Sequence, residues 1–410
     1  MPETGEHTFA TQLRQLRGEM TLRELARRAN CSKSTIWDLE HERRAPTPQI
    51  AQGLDNALGA DGKLVLLAHA HQQRLSEETT TPHDGVAVLL REWDDVLRRD
   101  FCKNSAGALS ATMVANLGIG TASANSRELM DAHRALRAAH GRLDNLRGAS
   151  SVYAQAVTHH QQVLTWHATA RNLDERKAIA GLASDTGGFV GFLSWDLGMP
   201  AAAATHYRDA ASYAHQSGDL SSAANLIGQM SRVLFGLGHH RRALNLSDGA
   251  LELAATKAHP AVRSWLHAVR AHHHAGLGHV RASQADLSTA WNLLSRADDG
   301  EKPPYIGYLD EAEIGKWTGH AMSQLGRATP SCLDTGRSAL DEARATWPSS
   351  SVRGSAEILT VSARIYAAGG HRDEAEALAS RAVAIATATG SARNLRAALA
   401  AQAKITVGNP

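Results

Sequence analysis

The residues from Ser32 to Leu39 alternate apolar and hydrogen-bonding side chains at helical spacing. At about 100° per residue, Ile36 and Leu39 share one face of a helix, and the opposite face carries Lys33, Ser34, Trp37 and Asp38. An ammonium can donate to guanine O6 or N7, a hydroxyl can pair with several bases, and a carboxylate can accept from cytosine N4. This polar face therefore combines groups that can read the edges of DNA bases.

Two short helices and a tight turn are predicted to position that face. Thr21 and Glu24 form an S/T-x-x-E capping box, which marks the start of the first helix. The turn is Ala29-Asn30-Cys31, in which Asn30 tolerates the left-handed backbone that glycine often supplies. Ser32 is a good N-cap for the second helix. The segment from Thr21 to Glu40 thus predicts a helix-turn-helix.

The flanking sequence completes a small helical domain. Leu13 and Leu16 mark a preceding amphipathic helix, Thr47-Pro48 begins a fourth helix, and Gly59 ends it. A last helix is expected near residues 62–74, carrying Leu64, Leu66 and Leu67. Five helices in this order resemble the phage-repressor-like (Xre family) DNA-binding domain. The alternative is a small helical bundle that contains an ordinary helix hairpin.

The resemblance assigns DNA-binding roles to individual residues. In the phage-repressor-like pattern, the two positions after the N-cap of the second helix read base edges, and here they are Lys33 and Ser34. Asp38 either accepts from a base or holds a neighbouring cation, and Trp37 either packs on sugar or a thymine methyl or shields the helix. Helix starts and arginines contact phosphates. The expected DNA-binding residues are Thr21, Ser32, Lys33, Ser34, Trp37, Asp38, Arg43 and Arg44.

Composition supports this interpretation only locally. The 410-residue chain has a net charge of +2, but residues 14–44 contain eight basic and five acidic residues. The three cysteines are isolated, no apolar run is long enough to span a membrane, and no signal peptide opens the chain, so we expect a cytoplasmic protein. No phosphate loop, nucleophile elbow or HExxH motif is present, and the 22 histidines lack metal-ligand spacing. We therefore expect no enzyme, no metal and no cofactor.

The remaining chain is predicted to be helical repeats after a linker. Residues 76–85 are polar, one connecting helix follows, and residues 118–126 form a second break. We place the domains at 1–75, 76–126 and 127–410. Helix pairs then recur around the turn glycines Gly198, Gly238, Gly278, Gly326 and Gly370, which are 40, 40, 48 and 44 residues apart. This pattern resembles a tetratricopeptide-like solenoid with lengthened helices. The alternative is an irregular helical bundle.

The whole chain resembles a group of actinobacterial transcriptional regulators. The resemblance rests on the Xre-type head, the helical connector and the segments LRAAHGRLDNLRG, LSWDLG and SARNLRAAL. It implies that the repeats act as a sensor or dimerisation domain. Tetratricopeptide arrays bind ligands on the concave side, where this sequence is expected to place Phe192, Trp195, Asn225, Arg232, Phe235, Trp265, His272, Lys316, His320 and Arg364. Such side chains can hold a peptide or a small molecule. Alternatively, the aromatic residues fill gaps between repeats and the charges are solvated.

The sequence therefore predicts an all-α protein with an N-terminal DNA-binding head and a C-terminal repeat sensor. We expect a ligand-responsive transcriptional regulator that binds a near-palindromic double-stranded operator as a homodimer. The alternative is a helical-repeat scaffold for protein interactions, whose head is a docking or dimerisation module. The two hypotheses differ in salt dependence, because phosphate contacts weaken steeply with salt and apolar docking does not.

Overall fold

The computed structural model describes residues 9–41, 46, 48–60, 62–68, 86, 88–91, 126–255, 258–297, 302–326 and 329–407. Regular structure in these residues is helical throughout and includes no strand, so the predicted all-α fold class is confirmed. The chain divides into two compact units, Met1–Asp84 and Gly85–Pro410. None of the described helices is both long and apolar enough to cross a membrane.

The first unit is a small bundle with one apolar core. Its helices are α1 (Phe9–Arg17), α2 (Leu22–Arg28), α3 (Lys33–Glu40) and α4 (Pro48–Leu58), and residues 63–68 are also helical. The core contains Leu13, Leu25, Ile36, Leu54 and Leu64, all fully buried. Leu66, which was expected to belong to the last helix's apolar set, is 69% exposed.

The second unit is a succession of packed helix pairs. Its helices are α5 (Ser126–Arg147), α6 (Tyr153–Ala168), α7 (Leu173–Asp196), α8 (Pro200–Ser217), α9 (Leu220–Gly236), α10 (His240–Ala254), α11 (Pro260–Gly276), α12 (Val280–Leu294), α13 (Glu311–Leu325), α14 (Ser331–Thr346), α15 (Val352–Ala368), α16 (Arg372–Ala388) and α17 (Ala392–Val407). The closest packing joins α7 to α8, α9 to α10, α11 to α12, α13 to α14 and α15 to α16. These are the five pairs that the glycine spacing predicts.

Glycine allows the tight turn inside four of these pairs. Gly198, Gly238, Gly278 and Gly370 have φ between 76° and 86°, the left-handed region that side chains with a Cβ disfavour. Gly326 differs, because it ends α13 with φ −57°. The fourth pair is therefore joined by a different turn, and its longer spacing comes mainly from the segment 295–310 that separates α12 from α13.

The last helices of the second unit pack back onto its first ones. Helix α15 contacts α5, and α17 contacts α7. Buried polar bonds join these ends: Arg353 Nε lies 3.1 Å from Asp144 Oδ2, and Ser391 Oγ donates to Asp196 Oδ1 at 2.8 Å. The repeat array thus closes on itself instead of remaining an open groove.

The sequence segment predicted as a connecting helix contributes to the core of the second unit. Val86 and Leu89 are buried in the same apolar cluster as residues of α8 to α11. Leu89 lies against the backbone of Gly249 on α10, where a Cβ would overlap its side chain. Trp93 and Leu97, further along the segment between the two predicted breaks, lie outside the described residues.

Candidate nucleic-acid interface and the repeat cavity

N-cap hydrogen bonds and one left-handed residue define the helix-turn-helix. Thr21 Oγ1 accepts from the amide of Glu24 at 3.3 Å, and Ser32 Oγ accepts from the amide of Thr35 at 3.0 Å, so both predicted N-caps are present. Asn30 has φ 51° and is the one non-glycine residue with positive φ among those described. The turn is therefore left-handed at the residue that the sequence predicts.

Helix α3 presents one buried and one accessible face. Ile36 and Leu39 are buried, at 0% and 1% exposure, and pack in the core of the first unit. Lys33 and Ser34 are exposed at the start of the helix, and Trp37 and Asp38 are half-buried one turn later. The four residues predicted to read bases are thus brought to the side of α3 away from the core.

The hydroxyls at the start of α3 already bond to one another. Ser32 Oγ lies 2.8 Å from both Ser34 Oγ and Thr35 Oγ1. Thr21 Oγ1 uses a lone pair to cap α2, which leaves its hydroxyl hydrogen able to donate to a phosphate. Ser34 can contact a base edge once its hydroxyl turns away from Ser32.

Trp37 has a partner that the sequence reading missed. The ring of His41 stacks on Trp37 at a centroid distance of 4.1 Å, and His41 Nδ1 lies 2.7 Å from the Trp37 carbonyl oxygen. This pair covers the end of α3. The i, i+4 spacing of two rings is the signal that could have revealed it.

Asp38 does not hold Lys33 in place. No ion pair joins these two residues, and no side-chain hydrogen bond to either is found within the described part of the chain. Both charges therefore remain accessible on α3. Arg43 and Arg44, the predicted phosphate contacts, lie outside the described residues.

An unexpected ion pair fixes α3 against α1. Arg17 Nε lies 2.6 Å from Glu40 Oε1, and Arg17 also donates to the Met20 carbonyl at 2.9 Å. The Glu40 side chain is only 4% exposed. Arg17 is therefore a positioning residue that holds α3 against α1.

The other described arginine and lysine residues of this unit lie at its surface. Arg28 forms an exposed i, i+4 pair with Glu24 at 2.7 Å, which adds little stability. Exposed cations of the described first unit near α2 and α3 include Arg14, Arg23, Arg27 and Lys33. They are available for phosphate oxygens without breaking a buried ion pair.

Helix α4 packs closely against the turn between α2 and α3. A Cβ on Gly53 would lie 2.9 Å from the Ala29 carbonyl oxygen, so only glycine lets α4 approach the turn this closely. Asp55, 4% exposed, accepts from the amides of Gly62 at 2.7 Å and Leu64 at 2.8 Å. These contacts fasten the last helical segment to α4.

The second unit encloses a cavity of about 510 Å³. Its walls come from α5, α7, α9, α13, α15, Tyr207 of α8, and the segments 302–310 and 347–351. Of the residues predicted to bind an effector, Phe192, Asn225, Arg232 and Lys316 line this cavity, whereas Trp195, Phe235, Trp265, His272, His320 and Arg364 do not. The repeat register predicted from the turn glycines thus brings four of the ten residues together.

Trp265 and His272 belong to α11, which contributes no residue to the cavity wall. Trp265 is fully buried in the apolar core, where it packs beside Gly228. Gln324 Nε2 donates to His272 Nδ1 at 2.8 Å. Trp265 is therefore a core residue and not the ligand-facing residue that the repeat register predicted. The segment 302–310, and not α11, contributes to the cavity wall.

The other four residues off the cavity wall have partners elsewhere in the unit. Trp195 packs against Gly236, Phe235 stacks on His240 at 4.4 Å, His320 Nε2 lies 3.2 Å from Glu357 Oε1, and Arg364 donates to the Ala397 carbonyl at 3.3 Å. Trp195 and Phe235 thus pack between helices and Arg364 is exposed, as the alternative interpretation expects, whereas His320 makes a largely buried polar contact that neither interpretation predicted.

A network of buried charges lines one side of the cavity. Glu357 lies 3.2 Å from Arg393 and 3.7 Å from Lys316, and Arg393 lies 3.6 Å from Asp196. Burial acts to raise the pKa of Glu357, but the charges of Arg393 and Lys316 outweigh it and hold that pKa well below its usual value. The described residues include no cluster of three or more histidine, cysteine or carboxylate groups able to hold a metal.

The sequence reading missed the aromatic residues that separate two repeats. Tyr305 lies inside the 3-10 turn Pro304–Ile306, and Tyr308 follows this turn. Both tyrosines line the cavity. Pro303 and Pro304 in EKPPYIGYLD were the only local signal of a structured segment there. Because this segment lies between two repeats and is not part of the repeated unit, the repeat period could not predict it.

Comparison with known families agrees with the geometry of the first unit. Residues 8–68 match the family model described as a helix-turn-helix domain. No curated protein matches the chain. The matched range contains α1 to α4 and the helical residues 63–68. The chain therefore has an N-terminal helix-turn-helix domain followed by a region of repeated helix pairs.

Proposed function

We propose that this protein is a sequence-specific, DNA-binding transcriptional regulator. One observation carries the proposal: within the helix-turn-helix match, α3 exposes Lys33 and Ser34 at its first turn while Ile36 and Leu39 fix it to the core. Helix-turn-helix proteins insert the N-terminal residues of this helix into the major groove. The resemblance to the Xre family supports the same role.

Base reading is assigned to Lys33 and Ser34, with Asp38 one turn later. Thr21 and Ser32, together with Arg43 and Arg44, are assigned to phosphates, and the exposed Arg23 and Arg27 add to that surface. Phosphate contacts position the head and base contacts give specificity. Lys33→Ala should therefore change sequence preference, whereas Arg43→Ala should weaken binding to all sequences alike.

We further propose that the regulator acts as a homodimer on a near-palindromic operator. A single head buries too little surface for operator-level affinity, and two heads bind half-sites about 34–36 Å apart, or multiples of that distance. The tetratricopeptide-like repeats would supply dimerisation and effector binding. A peptide or small-molecule effector would shift the population between two arrangements of the heads.

Salt dependence separates this proposal from the scaffold alternative. Fluorescence anisotropy with labelled duplex DNA should give affinities that fall steeply between about 50 and 200 mM salt, with a log–log slope of about −0.9 per phosphate contact. Lys33→Ala is the test variant, and Lys63→Ala, an exposed lysine in residues 63–68, is the matched control. Weak binding that neither variant changes would favour the scaffold.

A further inference from the structure

Arg232 of α9 is a cation at the cavity wall without a carboxylate partner among the described residues. Its NH1 group donates to Gln229 Oε1 at 2.8 Å, and its guanidinium lies 4.9 Å from the centroid of the Trp317 ring. Its Nε is buried and has no hydrogen-bond partner in the described part of the chain. A guanidinium has five N–H donors, so most of the donors of Arg232 remain unused.

Three of the other cations at this wall pair with carboxylates, and Lys302 donates to the Leu309 carbonyl at 2.9 Å. Arg137 lies 3.4 Å from Asp185, Lys316 lies 2.7 Å from Glu313, and Arg353 lies 3.1 Å from Asp144. Arg232 has no such ion pair among the described residues, although the cavity wall as a whole carries five cations and five carboxylates. A partly buried cation with free donors is the group that most favours an added anion, and a planar guanidinium suits a carboxylate in particular.

Tyr308 presents an open aromatic surface next to this cation. The residue lines the cavity and is 48% exposed, although the surrounding walls desolvate its phenol and raise its pKa. The side chain of Gln229 accepts from Arg232 and also hydrogen-bonds to the phenol of Tyr308, so the two residues lie beside the same amide.

The remaining wall combines apolar surface with polar groups, which include carboxylates and one amide whose oxygen lacks a partner among the described residues. Phe192 and Leu226 line the cavity, and Asn225 is 5% exposed with its Oδ1 lacking a hydrogen-bond partner among the described residues. A volume of about 510 Å³ falls within the range of roughly 300–1,000 Å³ in which small-molecule sites occur. Because α15 packs against α5, helices from both ends of the array contribute to the cavity wall.

We propose that the cavity binds a small aromatic carboxylate, whose anionic group pairs with Arg232 and whose ring lies against Tyr308. Asn225 Oδ1 would accept a hydrogen bond from a polar substituent of the same molecule. The site selects a compact anion over an extended peptide. Only its consequence for DNA binding rests on the function proposed above.

The test measures binding to the full-length protein without DNA. The probes are aromatic monocarboxylates of increasing size, namely benzoate, phenylacetate, indole-3-acetate and 1-naphthoate, each paired with its primary amide. Isothermal titration calorimetry should detect at least one carboxylate, with its uncharged amide at least about tenfold weaker, because the amide cannot form the charge-assisted bidentate pair.

Two variants assign the binding to the proposed residues. Arg232→Gln should weaken the carboxylate at least about tenfold, and Tyr308→Ala should weaken it by a smaller factor. Arg241→Gln, on the exposed side of α10 and outside the cavity, should leave it unchanged. Circular dichroism checks that each variant keeps its helical content, and Tyr308→Ala still tests the site if Arg232→Gln does not fold.

Three results would overturn the proposal: no carboxylate binds, the amides bind as tightly as the acids, or Arg232→Gln binds as the parent does. A linear peptide that binds more tightly than every aromatic acid would also overturn it. Addition of the bound acid to a DNA-binding assay then examines regulation separately. Acid binding without any DNA binding would contradict the proposed function alone, and DNA binding without acid binding would contradict this inference alone.

Discussion

Replacing His273 by asparagine should flatten the dependence of the second unit's stability on pH. His273 on α11 is fully buried, and its Nδ1 lies 3.2 Å from Ser247 Oγ. Ser247 Oγ donates its own hydrogen to the Leu244 carbonyl at 2.8 Å, so the imidazole must donate through Nδ1–H. Its Nε2 is buried without a partner among the described residues, so a proton added there would have no acceptor.

The sign and size of the effect follow from the two protonation states. Burial, with a smaller contribution from Arg232, lowers the pKa of His273 to about 3. The unfolded chain has the ordinary histidine pKa of about 6.5, so between these values only the unfolded state binds the proton. The stability that the neutral ring contributes is present above about pH 6.5 and is lost as pH falls. The loss between about pH 7.5 and pH 5 amounts to about 2 kcal/mol.

Asparagine can keep the donor to Ser247 but cannot take up a proton. His273→Asn should therefore be less stable than the parent by about 2 kcal/mol at about pH 7.5, because the smaller side chain leaves a gap, and should approach the parent near pH 5. Urea unfolding followed by circular dichroism at several pH values measures this difference. His371→Asn, at an exposed histidine before α16, is the control. A stability difference that stays constant across the range would refute the reasoning.

Further substitutions test contacts inside each of the two units. Glu40→Gln should destabilise the first unit by about 2 kcal/mol, because it leaves the partly buried Arg17 without its anion, and faster amide hydrogen exchange in α3 checks this. Asn30→Ala should cost about 1 kcal/mol at its left-handed φ and Asn30→Gly should not, by the same measurement in α2 and α3. Arg353→Met should destabilise the second unit by about 3 kcal/mol, because Asp144 remains buried and unpaired, which a lower urea midpoint would report.

Each of these variants has an outcome that would contradict its explanation. Exchange in α3 that Glu40→Gln leaves unchanged would mean that the ion pair does not hold α3. Equal exchange in Asn30→Ala and Asn30→Gly would remove the backbone conformation as the cause. An Arg353→Met protein as stable as the parent would mean that the closure of the repeat array does not depend on this ion pair.

The elements of the helix-turn-helix could be predicted because their signals are local. Thr21 and Ser32 cap the helices that follow them, and Asn30 takes the left-handed conformation, as their residue types indicate. The pair Arg17 and Glu40 could not be predicted, because 23 residues separate two charges that both resemble surface residues. Only the folded positions of α1 and α3 bring them together.

In the repeats, too, local structure could be predicted from the sequence, whereas contacts between distant segments could not. The turn glycines predicted the five helix pairs, but they did not predict which helix face borders the cavity. Phe192 and Arg232 line it, whereas Trp265 packs in the core. Closure of the array and the segment carrying Tyr308 decide the cavity wall, and neither follows from the repeat period.

Selection of genomic DNA fragments by the purified full-length protein, at moderate salt, tests the central claim most directly. The account predicts enrichment of one shared, near-palindromic site, and a Lys33→Ala variant should lose that site or select a different one. Diffuse binding that salt abolishes, equal in the parent and in Lys33→Ala, would contradict sequence-specific recognition through α3.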